Sequence, residues 1–205
     1  MVGPWPAGRN PSNGGWAPPP ASGTLGRDLP DHGIQRRKQL RQTTTPPETG
    51  ERRFVMGPER VQVTILTTGA ETDGRHDLID SVLPAGAMTP LHLHTRYEER
   101  VYVITGSITV WIGQDKLTVG PGGCYHIPLN VPHTLRAGDE DTHALLISSP
   151  AGFAELVARA GTPAHLVTPA TEPDLALFQA VTTELGDVTL GPPGMVPAEL
   201  DRDGA

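Results

Sequence analysis

Turn-forming clusters interrupt the chain at short intervals between residues 54 and 149, where "GAETDG", "LPAGAMTP", "TGS", "GQDK", "GPGG", "LNVP" and "AGDED" follow one another. The runs between them are short and β-rich. "RVQVTILTT" (60–68) sets Val61, Val63 and Ile65 on one face, and "SITVWIG" (107–113) does the same with Ile108, Val110 and Ile112. Half-buried strands at this spacing, roughly eight of them, predict an all-β sandwich or barrel.

Beyond residue 149 the period lengthens. Phe153, Leu156, Val157 and Ala160 fall at i, i+3, i+4 and i+7, which predicts an amphipathic helix with Ser149 as N-cap, Pro150 at its first position and Gly161 as terminator. A second helix is predicted in "TEPDLALFQAVTTELG" (171–186), with Leu177, Val181 and Leu185 on one stripe and Gly186 closing it. The end, "GPPGMVPAELDRDGA", reads as a turn and a loose tail. At the other terminus, residues 1–50 hold nine prolines and eight glycines with no periodicity that would bury a face, so a disordered tail is expected. The basic "RRKQLRQ" (36–42) within it reads as a solvated stretch. A chain of 205 residues has room for one core of ordinary size. The expected organisation is therefore a tail at 1–50, a folded body at 51–194 and a loose end at 195–205.

Charge narrows the function classes. Residues 1–50 carry six Arg or Lys against three acids, leaving ten against twenty in the remainder, so the body would repel nucleic acid. The one cysteine, Cys124, excludes an internal disulfide and a cysteine-based zinc cluster, so a metal would have to be held by histidine and carboxylate. No run reaches the ~18 apolar residues of a membrane span, and the N-terminus lacks the apolar stretch of a signal peptide. A soluble, cytoplasmic protein that meets neither nucleic acid nor membrane is the expectation.

The segment "GAMTPLHLHTRYEERVYVITG" (86–106) carries the chemistry. In a strand, residues i and i+2 project from the same face, so His92 and His94 stand side by side, about 6 to 7 Å apart, where they can grip one ion. Leu93 faces the other way. Glu99 lies five positions past His94, which would turn it to the opposite face of an unbroken strand. "TRYE" (95–98) therefore reads as a hairpin loop that returns Glu99 to face the histidines across the ladder. A further ligand is sought in "GPGGCYHIPLNVPHTLRAG" (120–138), where His126 and His133 compete. His133 opens a strand after a Pro-bracketed turn and is favoured by geometry over His126, which sits mid-strand. Glu98, Arg96 and Arg100 read as solvated loop charges, His76 and His143 as surface or strand residues, and Met56 and Met88 as packing.

These two segments resemble the signature motifs of the cupin superfamily. The first matches G-x5-H-x-H-x4-E-x6-G at Gly86, His92, His94, Glu99 and Gly106. The second, G-x5-P-x-G-x2-H-x3-N, is met at Gly122, Pro128 and His133, with Asn130 in place of its glycine and Ala137 in place of its asparagine. Asparagine tolerates the left-handed backbone that a turn glycine would supply. The flanks "ERRFVMGPERVQVTILTTGAETDG", "SSPAGFAELVARAGTPA" and "LGDVTLGPPG" are similar to the single-domain quercetin 2,3-dioxygenase-like branch, so the resemblance spans residues 51–194.

The resemblance implies a single cupin (jelly-roll) barrel followed by the two helices, with His92, His94, Glu99 and His133 as ligands of a divalent transition metal: Fe, Mn, Ni, Co or Zn. It also implies a dioxygenase that cleaves a flavonol-like or related hydroxylated aromatic substrate with O2. Glu99 would be both ligand and catalytic base, and ring opening would release carbon monoxide. A cupin-type cyclase or isomerase of aromatic polyketides and a non-enzymatic small-molecule-binding cupin are the competing functions on the same scaffold. Pairing through outer strands, as cupins commonly do, would make a homodimer.

Overall fold

The structure is a computed structural model, and its described residues are 52–200; the expectations for the N-terminal tail and its basic stretch lie outside them. Among the described residues, ten strands precede residue 150: β1 (Arg53–Met56), β2 (Val61–Thr67), β3 (Asp77–Leu83), β4 (Pro90–His94), β5 (Glu98–Thr105), β6 (Ile108–Ile112), β7 (Asp115–Val119), β8 (Cys124–Ile127), β9 (His133–Ala137) and β10 (Thr142–Ser149). The count exceeds the roughly eight expected, and β1 and β8 are only four residues long. Then follow α1 (Phe153–Ala160), the two-residue β11 (Thr162–Pro163), α2 (Leu175–Leu185) and β12 (Asp187–Pro193).

All pairings are antiparallel. They build a seven-stranded sheet in the order β11-β1-β2-β3-β10-β5-β8 and a five-stranded sheet in the order β12-β4-β9-β6-β7. Alternation decides which face of each strand turns inward. Along β3 every second residue from Asp77 to Leu83 is buried, and along β5 Glu99, Val101 and Val103 are buried while Arg100 and Tyr102 face out. Val101, Val103, Ile108, Val110, Tyr125 and Ile127 form one core cluster. Phe54, Met56, Val63, Ile65 and Ile79 form another, closed over by Leu156, Val157 and Val181 of the helices. Each fully buried aliphatic side chain of this kind contributes about 1.5–3 kcal/mol.

The first helix starts later than its sequence suggests. Ser149 ends β10, and its hydroxyl donates to the Arg75 carbonyl at 2.9 Å instead of capping. The helix begins at Phe153, and its free N–H groups are satisfied from a distant strand: the buried Asp77 carboxylate accepts from Gly152 N and Ala154 N, each at 2.9 Å, and Ser148 Oγ accepts from Phe153 N. A carboxylate at this end also complements the helix dipole. Gly161 terminates α1 as expected.

In α2, Asp174 caps the start by accepting from Leu177 N at 2.8 Å, and Gly186 closes the helix in the left-handed conformation at φ 86°. Val181 is buried and Leu185 partly so, but Leu177 lies 44% exposed, so the apolar stripe covers less of the helix than its periodicity implied. Arg159 of α1 ties the two helices together through Glu184. The chain then enters β12, whose Asp187 pairs with His94. Residues 191–193 thus belong to a strand, and Pro197 is buried in a short 3-10 turn, in the stretch that reads from sequence as a turn and loose tail.

Candidate metal centre

Strands β4 and β9 lie side by side with His92 directly opposite His133, and His94 stands two residues further along β4 on the same inward face. The three imidazoles gather closely. Ring centroids are 4.2 Å apart for His92 and His133, and 4.9 Å for His94 with either of the others. One ring nitrogen of each lies within 4.8 Å of the other two.

Hydrogen bonds settle which nitrogen each ring can offer. His92 Nδ1 is 2.7 Å from the Pro90 carbonyl, and His133 Nδ1 is 3.0 Å from the Val131 carbonyl. A carbonyl only accepts, so both Nδ1 atoms carry the proton and donate it. His94 Nδ1 faces a carboxylate oxygen of Asp187 at 2.8 Å, which imposes the same tautomer. In each neutral ring the lone pair is therefore on Nε2. His94 Nε2 and His133 Nε2 are buried with no hydrogen-bond partner. An orphaned buried polar atom costs about 1–3 kcal/mol, and the Nε2 lone pairs of neutral rings directed at one small volume suit a cation.

Glu99 supplies the charge. Its carboxylate is buried, with Oε1 3.6 Å from His94 Nε2, a distance of electrostatic attraction rather than of hydrogen bonding. The route it takes differs from the expected hairpin. β4 and β5 belong to different sheets, so Glu99 meets the histidines across the interior of the barrel and not across a ladder. Thr95–Tyr97 carries the chain from one sheet to the other, and the buried Tyr97 ring stacks on His94 with centroids 4.4 Å apart. Gly152 permits this packing, since a Cβ there would fall 2.5 Å from the Tyr97 ring.

The protonation states follow from burial and neighbouring charge. Burial, reinforced by His92 and His94, depresses His133 to about 2, and burial together with His94 also lowers His92. Burial acts against a charged His94 as well, yet the Glu99 charge and the Asp187 hydrogen bond outweigh it and raise that ring to about 9. An ion bound through His94 Nε2 would compete with a proton at that atom. Three imidazoles and a carboxylate are a donor set for first-row transition ions, with too few oxygens for calcium or magnesium.

Of the residues singled out from the sequence, His92, His94, Glu99 and His133 come together here. His126 does not: it lies on the outer face of β8, where its ring meets Glu98 at 3.0 Å, and Arg100 joins the same surface group. His143 is a strand residue, as expected, on β10, where its ring is paired with Asp80 at 2.7 Å. Sequence reasoning missed Asp187 and Tyr97. Asp187 accepts from His94 Nδ1 and, through its other oxygen, from the Tyr97 hydroxyl at 3.0 Å. A lone aspartate following a helix-closing glycine gives no periodic signal, and its partner lies 93 residues away. Gly186 also sets its position, for the carbonyl accepts from Thr95 N and Thr95 Oγ1, and a Cβ would fall 2.6 Å from that hydroxyl.

The family model described as Cupin domain (Cupin_2) matches residues 80–148. The match covers about a third of the chain, and over that stretch the chain is similar to the cupin domain. The matched segment contains all four gathered side chains and ends well before Asp187. A stretch of 99 residues is 26% identical to quercetin 2,3-dioxygenase of Bacillus subtilis (strain 168), covering 48% of this chain and 29% of that protein. The match thus spans less than a third of the length of that curated relative. Among solved structures, the chain is similar to KdgF from Halomonas sp., with 21% identity over 48% of this chain and 84% of that one and a TM-score of 0.43. It is also similar to the polyketide cyclase RemF from Streptomyces resistomycificus, with 24% identity over 47% of this chain and 70% of that one and a TM-score of 0.41.

Proposed function

We propose that His92, His94, His133 and Glu99 hold a divalent transition metal ion and that the chain is a metal-dependent oxidoreductase, a dioxygenase that opens a flavonol-like hydroxylated aromatic with O2. The observation that carries the metal is the commitment of all three Nδ1 atoms, which leaves buried Nε2 lone pairs beside one carboxylate. The oxidoreductase reading is supported by the 26% identity to a quercetin 2,3-dioxygenase.

Held by His92, His94, His133 and Glu99, the ion would supply Lewis acidity towards a substrate hydroxyl oxygen. The residues do the rest. Glu99, the one carboxylate of the set, takes the substrate hydroxyl proton onto its oxygen, which leaves an electron-rich enolate to react with O2. His92 is only half buried whereas His94 and His133 are buried, which supports a substrate approach from the His92 side. Tyr97 and Asp187 close the opposite side of His94 against water.

The test is elemental analysis of the full chain purified without added metal, followed by oxygen-electrode traces over a panel of hydroxylated aromatics that includes quercetin. About one transition ion per chain and O2 uptake coupled to loss of flavonol absorbance are expected. A fully loaded chain that consumes no O2 with any member of the panel refutes the dioxygenase assignment.

A further inference from the structure

Among the described residues, three buried side-chain nitrogen or oxygen atoms have no hydrogen-bond partner: His94 Nε2, His133 Nε2 and the hydroxyl of Tyr125. The first two belong to the candidate metal centre. The third needs its own account. Tyr125 is the inward residue of β8 between the outward Cys124 and His126, and it is 5% exposed. Pairing of β5 with β8 sets Tyr125 opposite Val101 and Ile127 opposite Glu99. Residues directly opposite share a face, so Tyr125 and Glu99 are diagonal neighbours on the inner surface, with backbones about 7–8 Å apart, a span an aromatic side chain covers.

A phenylalanine at position 125 would fill the same core space among Val101, Val103, Ile108 and Val110 without burying an unsatisfied hydroxyl. A buried hydroxyl without a partner is available to one that enters the barrel. Burial and the nearby Glu99 charge push its ionisation further up, so it meets that partner as a neutral phenol able to donate. We propose that the Tyr125 hydroxyl donates a hydrogen bond to an acceptor oxygen of the small molecule bound in the barrel, which makes Tyr125 a specificity-determining contact. The ligand class is a hydroxy-carbonyl compound with one oxygen for the ion and another acceptor oxygen further in. This rests on the metal reading above.

The test compares the full chain with Tyr125→Phe, each loaded with Zn(II) and titrated without O2, so that quercetin can bind without turnover. Calorimetric titration of Zn(II) into both, then of quercetin and 3-hydroxyflavone, is paired with thermal melts of the ligand-free proteins. Expected are equal Zn(II) affinities, a roughly 3- to 10-fold loss of quercetin affinity in Tyr125→Phe, and a ligand-free midpoint equal to or above that of the parent. Zn(II) bound equally and quercetin bound equally by both proteins overturns the Tyr125 assignment alone. A midpoint several degrees lower in Tyr125→Phe also overturns it, since the hydroxyl is then satisfied within the free protein. Failure of the parent to bind Zn(II) overturns the metal reading and this contact together, whereas Zn(II) binding without affinity for either flavonol overturns the ligand class.

Discussion

Replacing Asp187 tests whether β12 is part of the metal centre or merely covers it. The carboxylate holds His94 Nδ1–H at 2.8 Å and the Tyr97 hydroxyl at 3.0 Å, both in a buried setting. Hydrogen bonds to a charged group contribute about 1.5–3 kcal/mol each, and only the one to His94 bears on the ion. Loss of such an orienting partner typically lowers metal affinity 10- to 100-fold, about 1.4–2.8 kcal/mol, so the two lines of argument agree. Asp187→Asn keeps an acceptor oxygen for Nδ1–H but not the charge, and should fall at the tenfold end. Asp187→Ala leaves His94 Nδ1–H and the Tyr97 hydroxyl without their partner, and should approach a hundredfold, with an additional stability loss of about 1–3 kcal/mol per orphaned group. The assay is calorimetric titration of Zn(II) into the chelator-stripped full chain, with Glu98→Gln on the outer face as a control that should bind like the parent. An Asp187→Ala protein that retains native circular dichroism and binds Zn(II) within twofold of the parent would refute the reasoning.

Other outcomes follow from the same geometry. Glu99→Gln should depress turnover more than metal content, whereas His92→Ala should depress both; elemental analysis beside oxygen uptake separates them. His126→Ala should leave metal content unchanged, because that ring meets Glu98 on the outer surface, and a loss measured by elemental analysis would contradict the placement. Gly186→Ala forces a side chain into the left-handed region at φ 86° and against Thr95 Oγ1, which should cost about 1–2 kcal/mol or more in denaturant unfolding and lower Zn(II) affinity by displacing Asp187. The Arg52 guanidinium beside Glu71 lowers that carboxyl from 4.5 to about 2. A depressed folded-state value adds stability that is fully present above pH 4.5 and disappears as pH falls towards 2. Both side chains are about two-fifths exposed, so solvent and salt screen the pair to at most about 1 kcal/mol. Arg52→Ala should therefore differ from the parent in unfolding free energy at pH 6 and low salt, and coincide with it near pH 2.

What the sequence determined by itself is whatever depends on local period. Val63 and Ile65 on β2, and Ile108 and Val110 on β6, are buried as their alternation requires, and Gly161 and Gly186 end the two helices where a helical backbone cannot continue. His92 and His94 share a face because residues two apart in a strand do. Tertiary structure decided the contacts that join segments far apart in the chain. Glu99 reaches the histidines because β4 and β5 lie in different sheets, a division that the polar loop between them does not encode. The start of α1 is set by Asp77, some 75 residues upstream of the N–H groups it receives, and the tautomer of His94 by Asp187, 93 residues downstream. A single aspartate has no period, and its partner is chosen only when two sheets close around a common interior, where an unpaired charge would be too costly to leave.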